Sequence, residues 1–191
     1  MSFTAAELAA IDEWAARAKP LSGVWFRSVP ARWMDPDHVL NGEGTALHGG
    51  RFAPPGTLAV FLSATDQLAT AEVTMRKSRL GGSALITVDK YPRMVFGVEV
   101  SLERVLAFSK RSMPKALHAL HGPCLDKDSL APSIEVGREL LRRSIQALRF
   151  PSVTGRGSNL VVYNHHCDPS SLKLVNLSEL KAKIRAIAGA P

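Results

Sequence analysis

Short apolar, β-branched runs alternate unevenly with amphipathic helical segments along this chain, and that uneven order is the strongest limit on its fold. Residues 23–29 (GVWFRSV) and 57–63 (TLAVFLS) read as strands, as do 83–89, 94–100, 159–163 and 172–175. Helix signals lie between them. Thr4-Ala5-Ala6-Glu7 is a capping box that opens a helix ending before Pro20. Thr65 caps a second helix through Arg79, which Gly81-Gly82 terminates. A short helix is expected near 114–120, a firm one from Ser133 to Leu148, and a terminal one from Ser178. Residues 30–56 hold four prolines and five glycines and read as a long ordered loop of the kind that often carries function. A doubly wound sheet needs regular βαβ alternation, which is missing. The expected class is α+β.

A length of 191 residues suits a single domain, 1–191, with the helix at 4–19 as an extension. Apolar residues at 46% and charged residues at 21% are ordinary for a soluble globular chain. The net charge of +7 and pI of about 9.8 suit anionic partners. No run of five or six basic residues reads as a nucleic-acid arm, and aromatics at 6% argue against a single-strand stacking surface. Nucleic acid is therefore not an expected partner, although a non-catalytic basic binding module stays open as a reading. Cys124 and Cys167 lie in no paired motif, which favours a reducing compartment. With no signal-peptide pattern and no apolar run of membrane-spanning length, the expected site of action is the cytoplasm. Delivery as an effector by a signal-less route would leave the same sequence.

Few residues carry a chemical signal by themselves. Glu72 lies on the apolar stripe of the 65–79 helix, four residues after Leu68 and three before Met75. A carboxylate there must be paired, hydrogen-bonded or lining a cavity, because burying a bare one is costly. A rim ion pair with Arg76, one turn on, is the simplest partner. Arg27 interrupts an apolar strand; taken alone it reads as a solvent-facing arginine. Arg51 follows Gly49-Gly50, where backbone can approach a ligand closely, though most such triplets are turns. Ser152 follows Pro151 and by itself suits a turn. His165-His166-Cys167-Asp168 lacks a second ligand cluster, so no metal site is expected.

Taken in order, these stretches resemble the RES-domain family, named for a conserved arginine, glutamate and serine. Trp25-Phe26-Arg27 comes first, then Leu47-His48-Gly49-Gly50-Arg51-Phe52-Ala53-Pro54-Pro55-Gly56. Ala59-Val60-Phe61-Leu62-Ser63 and Leu68-Ala69-Thr70-Ala71-Glu72-Val73 follow, and Phe150-Pro151-Ser152 leads to Asn159-Leu160-Val161-Val162. The resemblance spans a core of roughly 23–165. It departs from the family at three points. Phe52-Ala53 stands where Trp-Asn is usual, Phe61 replaces a tyrosine, and Phe26 precedes the arginine where tyrosine is common. Each change removes a polar handle.

What the resemblance implies is an ADP-ribosyltransferase-like fold: two packed, mostly antiparallel sheets with flanking helices and a central NAD cleft. It implies a toxin that degrades NAD by cleaving the nicotinamide–ribose bond, as a glycohydrolase or phosphorylase, with protein mono-ADP-ribosylation as the alternative. NAD would be the substrate, with no prosthetic group, and a separate Xre-like antitoxin or immunity protein would be the partner. Arg27, Glu72 and Ser152 become the expected catalytic trio. His48, Gly50, Arg51, Phe52, Phe61 and Asn159 join Arg27 and Ser152 around NAD. Such chemistry suits these residue types. Breaking the bond develops oxocarbenium charge on the ribose, which a carboxylate such as Glu72 can stabilise. Arg27 and Arg51 are fitted to grip pyrophosphate bidentately. Ser152 would hold a ribose hydroxyl or the nicotinamide end, and Phe61 or Phe52 would stack on the nicotinamide ring.

Overall fold

The computed structural model describes residues 2–78, 93–126, 128–154, 157–175, 178, 179 and 182, with backbone alone at 74–78. It opens with α1 (Ala5–Ala15), started by the expected capping box: Glu7 N–H donates to Thr4 Oγ1 at 3.2 Å, and Thr4 N–H donates to the Glu7 carboxylate at 2.8 Å. The helix ends earlier than its sequence suggests. A tightened last turn, with Arg17 N–H on the Trp14 carbonyl at 2.9 Å, frees Lys19 and Pro20 to begin the strand β1 (Lys19–Pro30). Proline is tolerated there because it stands at the start of a strand.

The long loop holds a 3-10 turn (Ala31–Trp33) and a short helix α2 (Glu43–His48), neither marked by periodicity. Then come β2 (Ala59–Ser63), α3 (Asp66–Ser78) and a 15-residue strand β3 (Arg93–Ala107). The strand expected at 83–89 and the end of the second helix fall outside the described residues. A 3-10 segment (Lys115–Leu120) leads into α4 (His121–Leu125), followed by α5 (Ala131–Arg142). The chain closes with β4 (Ala147–Pro151), β5 (Ser158–Tyr163) and β6 (Leu172–Leu174). The terminal helix from Ser178 is largely outside the described residues.

One expected helix is really a helix and a strand. The segment from Ser133 to Leu148 breaks after Arg142. Ser144 adopts a left-handed φ of 53°, and Ile145 N–H returns to the Leu140 carbonyl at 3.2 Å. This left-handed cap ends the helix and turns the chain into β4.

The strands form one sheet in the order β1-β2-β5-β4-β3-β6, and an added β1–β3 pairing curls it into a five-stranded, barrel-like form. This corrects the expectation of two separate packed sheets. The reason is the length of β3: it pairs antiparallel with β1 from Arg93 to Val105 and parallel with β4 over Val105–Ala107. A single long strand thus joins what would otherwise be two sheets. Nearly all pairings are antiparallel, as expected; β3–β4 is the parallel one.

Strand alternation sends side chains to two cores. Trp25, Val60, Leu62, Val98, Val100, Leu160 and Val162 fill the concave side. On the other side, Phe52, Phe108, Leu148, Phe150, Val161 and Tyr163 pack beneath the helices with Ile11, Trp14 and Leu140. Helix α5 crosses this second core unusually close to the chain at Phe52. A Cβ on Gly137 would lie 2.1 Å from the Phe52 carbonyl oxygen, so only glycine fits.

Candidate active site

Strands β2 and β5 run antiparallel with Ala59 opposite Tyr163 and Ser63 opposite Asn159. Paired residues share a face, so Ala59, Phe61 and Ser63 line up with Tyr163, Val161 and Asn159. The Ser63–Asn159 end is where polar groups gather. Asn159 also pairs with Phe150 on β4, which places Pro151 and Ser152 at the same end of the sheet.

Helix α3 covers this end. Thr65 caps it, accepting from Leu68 N–H at 3.1 Å as its sequence suggests. Leu68 and Ala69 are buried, and Glu72 follows on the same face. Its carboxylate oxygen Oε1 accepts from Asn159 Nδ2 at 2.8 Å and from Ser152 Oγ. Among the described residues no cation is bonded to Glu72. The Arg76 side chain lies outside the described atoms.

Each donor is itself held. Ser152 Oγ accepts from Thr154 N–H at 3.0 Å and contacts Thr154 Oγ1 at 2.7 Å, while Ser152 N–H bonds the Gly157 carbonyl at 3.0 Å. Asn159 Oδ1 accepts from Ser63 Oγ at 2.8 Å. Ser63, Ser152 and Asn159 are all buried. The structure thus brings together Glu72, Ser152 and Asn159, and adds Ser63 and Thr154. These two carried no sequence signal, because a serine at a strand end and a threonine in a turn are commonplace.

Arg27 takes a neighbouring position without joining this cluster. It stands between Trp25 and Val29, both buried, so the solvent-facing reading of it is wrong. Its Nη1 donates to the Phe61 carbonyl at 3.2 Å, and its Nε is buried without a partner. Burial, then the positive charge of Arg93, push its pKa down to about 10. Arg93 is tied to Ser28, donating to its Oγ at 2.9 Å and its carbonyl at 2.8 Å.

The Gly-Gly-Arg stretch is a turn, with Gly50 N–H on the Ala53 carbonyl at 2.8 Å and Ala53 N–H on the Gly50 carbonyl at 3.0 Å. Gly50 faces the Phe61 ring so closely that a Cβ would sit 2.7 Å from it. Phe61 is half-buried, His48 is exposed at the end of α2, and both lie at this turn.

Two expected ligand contacts are placed elsewhere. Phe52 is fully buried, with its ring centroid 4.8 Å from that of Phe108 and 5.1 Å from that of Phe150. No face remains for a nicotinamide ring, so stacking falls to Phe61. Arg51 is 9% exposed and donates to the Cys124 carbonyl and, at 2.7 Å, to the Asp126 carbonyl. Its guanidinium ties the Gly50–Ala53 turn to the end of α4.

Among the described residues no group of three or more histidine, cysteine, aspartate or glutamate side chains has the geometry to hold a metal ion. No described helix is long and apolar enough to cross a membrane.

No curated protein matches the chain. Among solved structures, a chain of the M. tuberculosis MbcT-MbcA toxin-antitoxin complex is similar, with a TM-score of 0.74 and 22% identity. The match covers 97% of this chain and 100% of that one, and at this identity it speaks for the fold. The RES domain model matches residues 24–182, most of the sequence, and the chain belongs to the RES domain family.

Proposed function

We propose that this protein is a RES-type toxin that cleaves the nicotinamide–ribose bond of NAD, with Glu72 as the catalytic carboxylate. The observation that carries the reading is how Glu72 is held. Two neutral donors, Ser152 and Asn159, position the carboxylate, and among the described residues no cation neutralises it. A carboxylate held by neutral donors is aimed and can face a developing cation. Cleavage makes one: the C1′–N bond breaks, its electron pair goes to the nicotinamide nitrogen, and positive charge builds on the ribose. Fixed polar groups aimed at such charge need not reorganise during reaction.

Water completing the reaction gives ADP-ribose, nicotinamide and a proton; phosphate in its place gives ADP-ribose 1″-phosphate. Glu72 would orient the incoming oxygen and receive its proton. Arg27, with a buried Nε lacking a partner, suits the NAD pyrophosphate, whose charge would relieve the cost of burying the guanidinium. Phe61 would face the nicotinamide ring beside Gly50. Ser152 is already engaged by Glu72 and Thr154, so its part is to hold the carboxylate rather than to grip a ribose hydroxyl.

A separate antitoxin would be the natural partner, by analogy with the complex from which the similar structure comes. The proposal is tested by incubating purified protein with NAD, in phosphate-free and phosphate-containing buffer, and resolving the products. Free nicotinamide with ADP-ribose marks a glycohydrolase; ADP-ribose 1″-phosphate appearing only with phosphate marks a phosphorylase. Intact NAD under both conditions would refute both forms of the reading.

A further inference from the structure

Both hydrogen bonds that hold Glu72 end on the same oxygen. Oε1 receives Ser152 Oγ and Asn159 Nδ2, while among the described residues none is made to Oε2. Among the described residues the carboxylate is therefore anchored on its Oε1 side alone.

What supports this direction lies one residue further back. An asparagine amide can be turned over at little steric cost, and only its partners decide which end faces which way. An ionised carboxylate only accepts, so Asn159 must offer Nδ2 to Glu72. The reverse orientation would set a carbonyl oxygen against a carboxylate. A hydroxyl can answer either end of the amide, so the carboxylate sets the orientation, and Ser63 stabilises it by donating Oγ–H to Asn159 Oδ1 at 2.8 Å. Ser63 is placed for this by β-sheet register, standing opposite Asn159 on β5 and Phe26 on β1. Serine and asparagine are 6% and 7% exposed, so water competes poorly for either bond.

We propose that Ser63 is a positioning residue for NAD cleavage: through Asn159 it holds Glu72 by Oε1 and leaves Oε2 as the oxygen that meets the substrate. The proposal rests on the NAD-cleaving reading for its catalytic consequence, but the amide orientation it asserts does not depend on turnover.

Two measurements on the full chain test it. In steady-state NAD cleavage, Ser63→Ala should lower kcat about tenfold with KM within about twofold, because the interaction it supports matters most in the transition state. Ser63→Thr, which keeps the hydroxyl, should recover most of that loss. The Ser63→Ala/Asn159→Ala double variant should be no slower than Asn159→Ala alone, since Ser63 acts through Asn159. Independently, the Asn159 side-chain amide can be followed by NMR. Ser63→Ala should speed its hydrogen exchange by about tenfold or more, and Ser63→Thr should leave it close to wild type. Unchanged amide exchange in Ser63→Ala, or losses that add in the double variant, would overturn the proposal. Faster exchange in Ser63→Ala, with a wild type that cleaves no NAD, would contradict the functional reading and the catalytic role of Ser63 together, while leaving the amide anchor in place.

Discussion

The two ends of the β2–β5 ribbon use the same strand geometry for opposite purposes. At one end Ala59 faces Tyr163, fully buried, whose hydroxyl donates to the Phe52 carbonyl at 2.8 Å. At the other end Ser63 faces Asn159, and the polar atoms converge on Glu72. Each end has buried polar groups satisfied by neighbours, as such groups must be. The difference is what lies at the end of the chain of bonds. Tyr163 closes on a backbone carbonyl of the core, and burial pushes its pKa upward, so it acts as a neutral strut. Ser63 and Asn159 lead to a carboxylate that no described cation neutralises. A satisfied polar group stabilises a fold; one that positions a charge can serve chemistry.

This contrast makes its largest prediction at the apolar end. Phe52→Ala removes a ring packed on Phe108 and Phe150 and should cost about 3–5 kcal/mol, read as a lower midpoint in urea unfolding. Arg51→Leu should follow, at about 2–3 kcal/mol, because it strands the carbonyls of Cys124 and Asp126. If Arg51 instead cost nothing in stability, its role as a tie would be wrong. Tyr163→Phe should cost about 1–2 kcal/mol while kcat stays within about twofold. A large loss of turnover there would erase the distinction between the two ends.

Arg27 carries a buried charge that the described residues of the free protein do not balance. With its pKa lowered from the ordinary guanidinium value to about 10, the folded protein holds this proton less tightly than the unfolded chain does. The penalty is complete below about pH 10 and fades as the pH rises above it. At neutral pH, Arg27→Met should therefore stabilise the free protein by about 1 kcal/mol, measured by thermal unfolding, while abolishing NAD binding. A destabilised variant would show that the guanidinium is structural. The smallest effect concerns His121, stacked on Phe108 and lowered in pKa chiefly by burial, then by Lys110 and His118. A base with a depressed pKa loses stability as the pH falls through its ordinary value of 6.5. His121→Phe should flatten that part of the stability profile.

Much of this was legible in the sequence, and the failures share a cause. Glu72 stood out because a carboxylate on an apolar stripe demands an explanation, and periodicity is enough to see it. The capping box at Thr4 and the cap at Thr65 were equally local. Phe52 and Arg51 were misplaced because a Gly-Gly-Arg turn does not reveal which way its side chains leave it. Their directions are set by Gly137 on α5 and by the carbonyls at the end of α4, both far along the chain. The break at Ser144 was missed because a left-handed serine has no compositional mark. The single curled sheet depends on β3 running on to Ala107, beyond the alternation visible at 94–100. Ser63 and Thr154 became visible only once register had brought them beside Asn159 and Ser152.

The most direct test compares NAD consumption by wild type and Glu72→Gln, each shown by thermal unfolding to be folded. The change keeps the shape of the side chain and removes the charge at the centre of the polar end. A loss of turnover on the order of 10²–10⁴-fold is expected, with stability nearly unchanged. Turnover that survives the substitution would contradict it and move the chemistry away from Glu72.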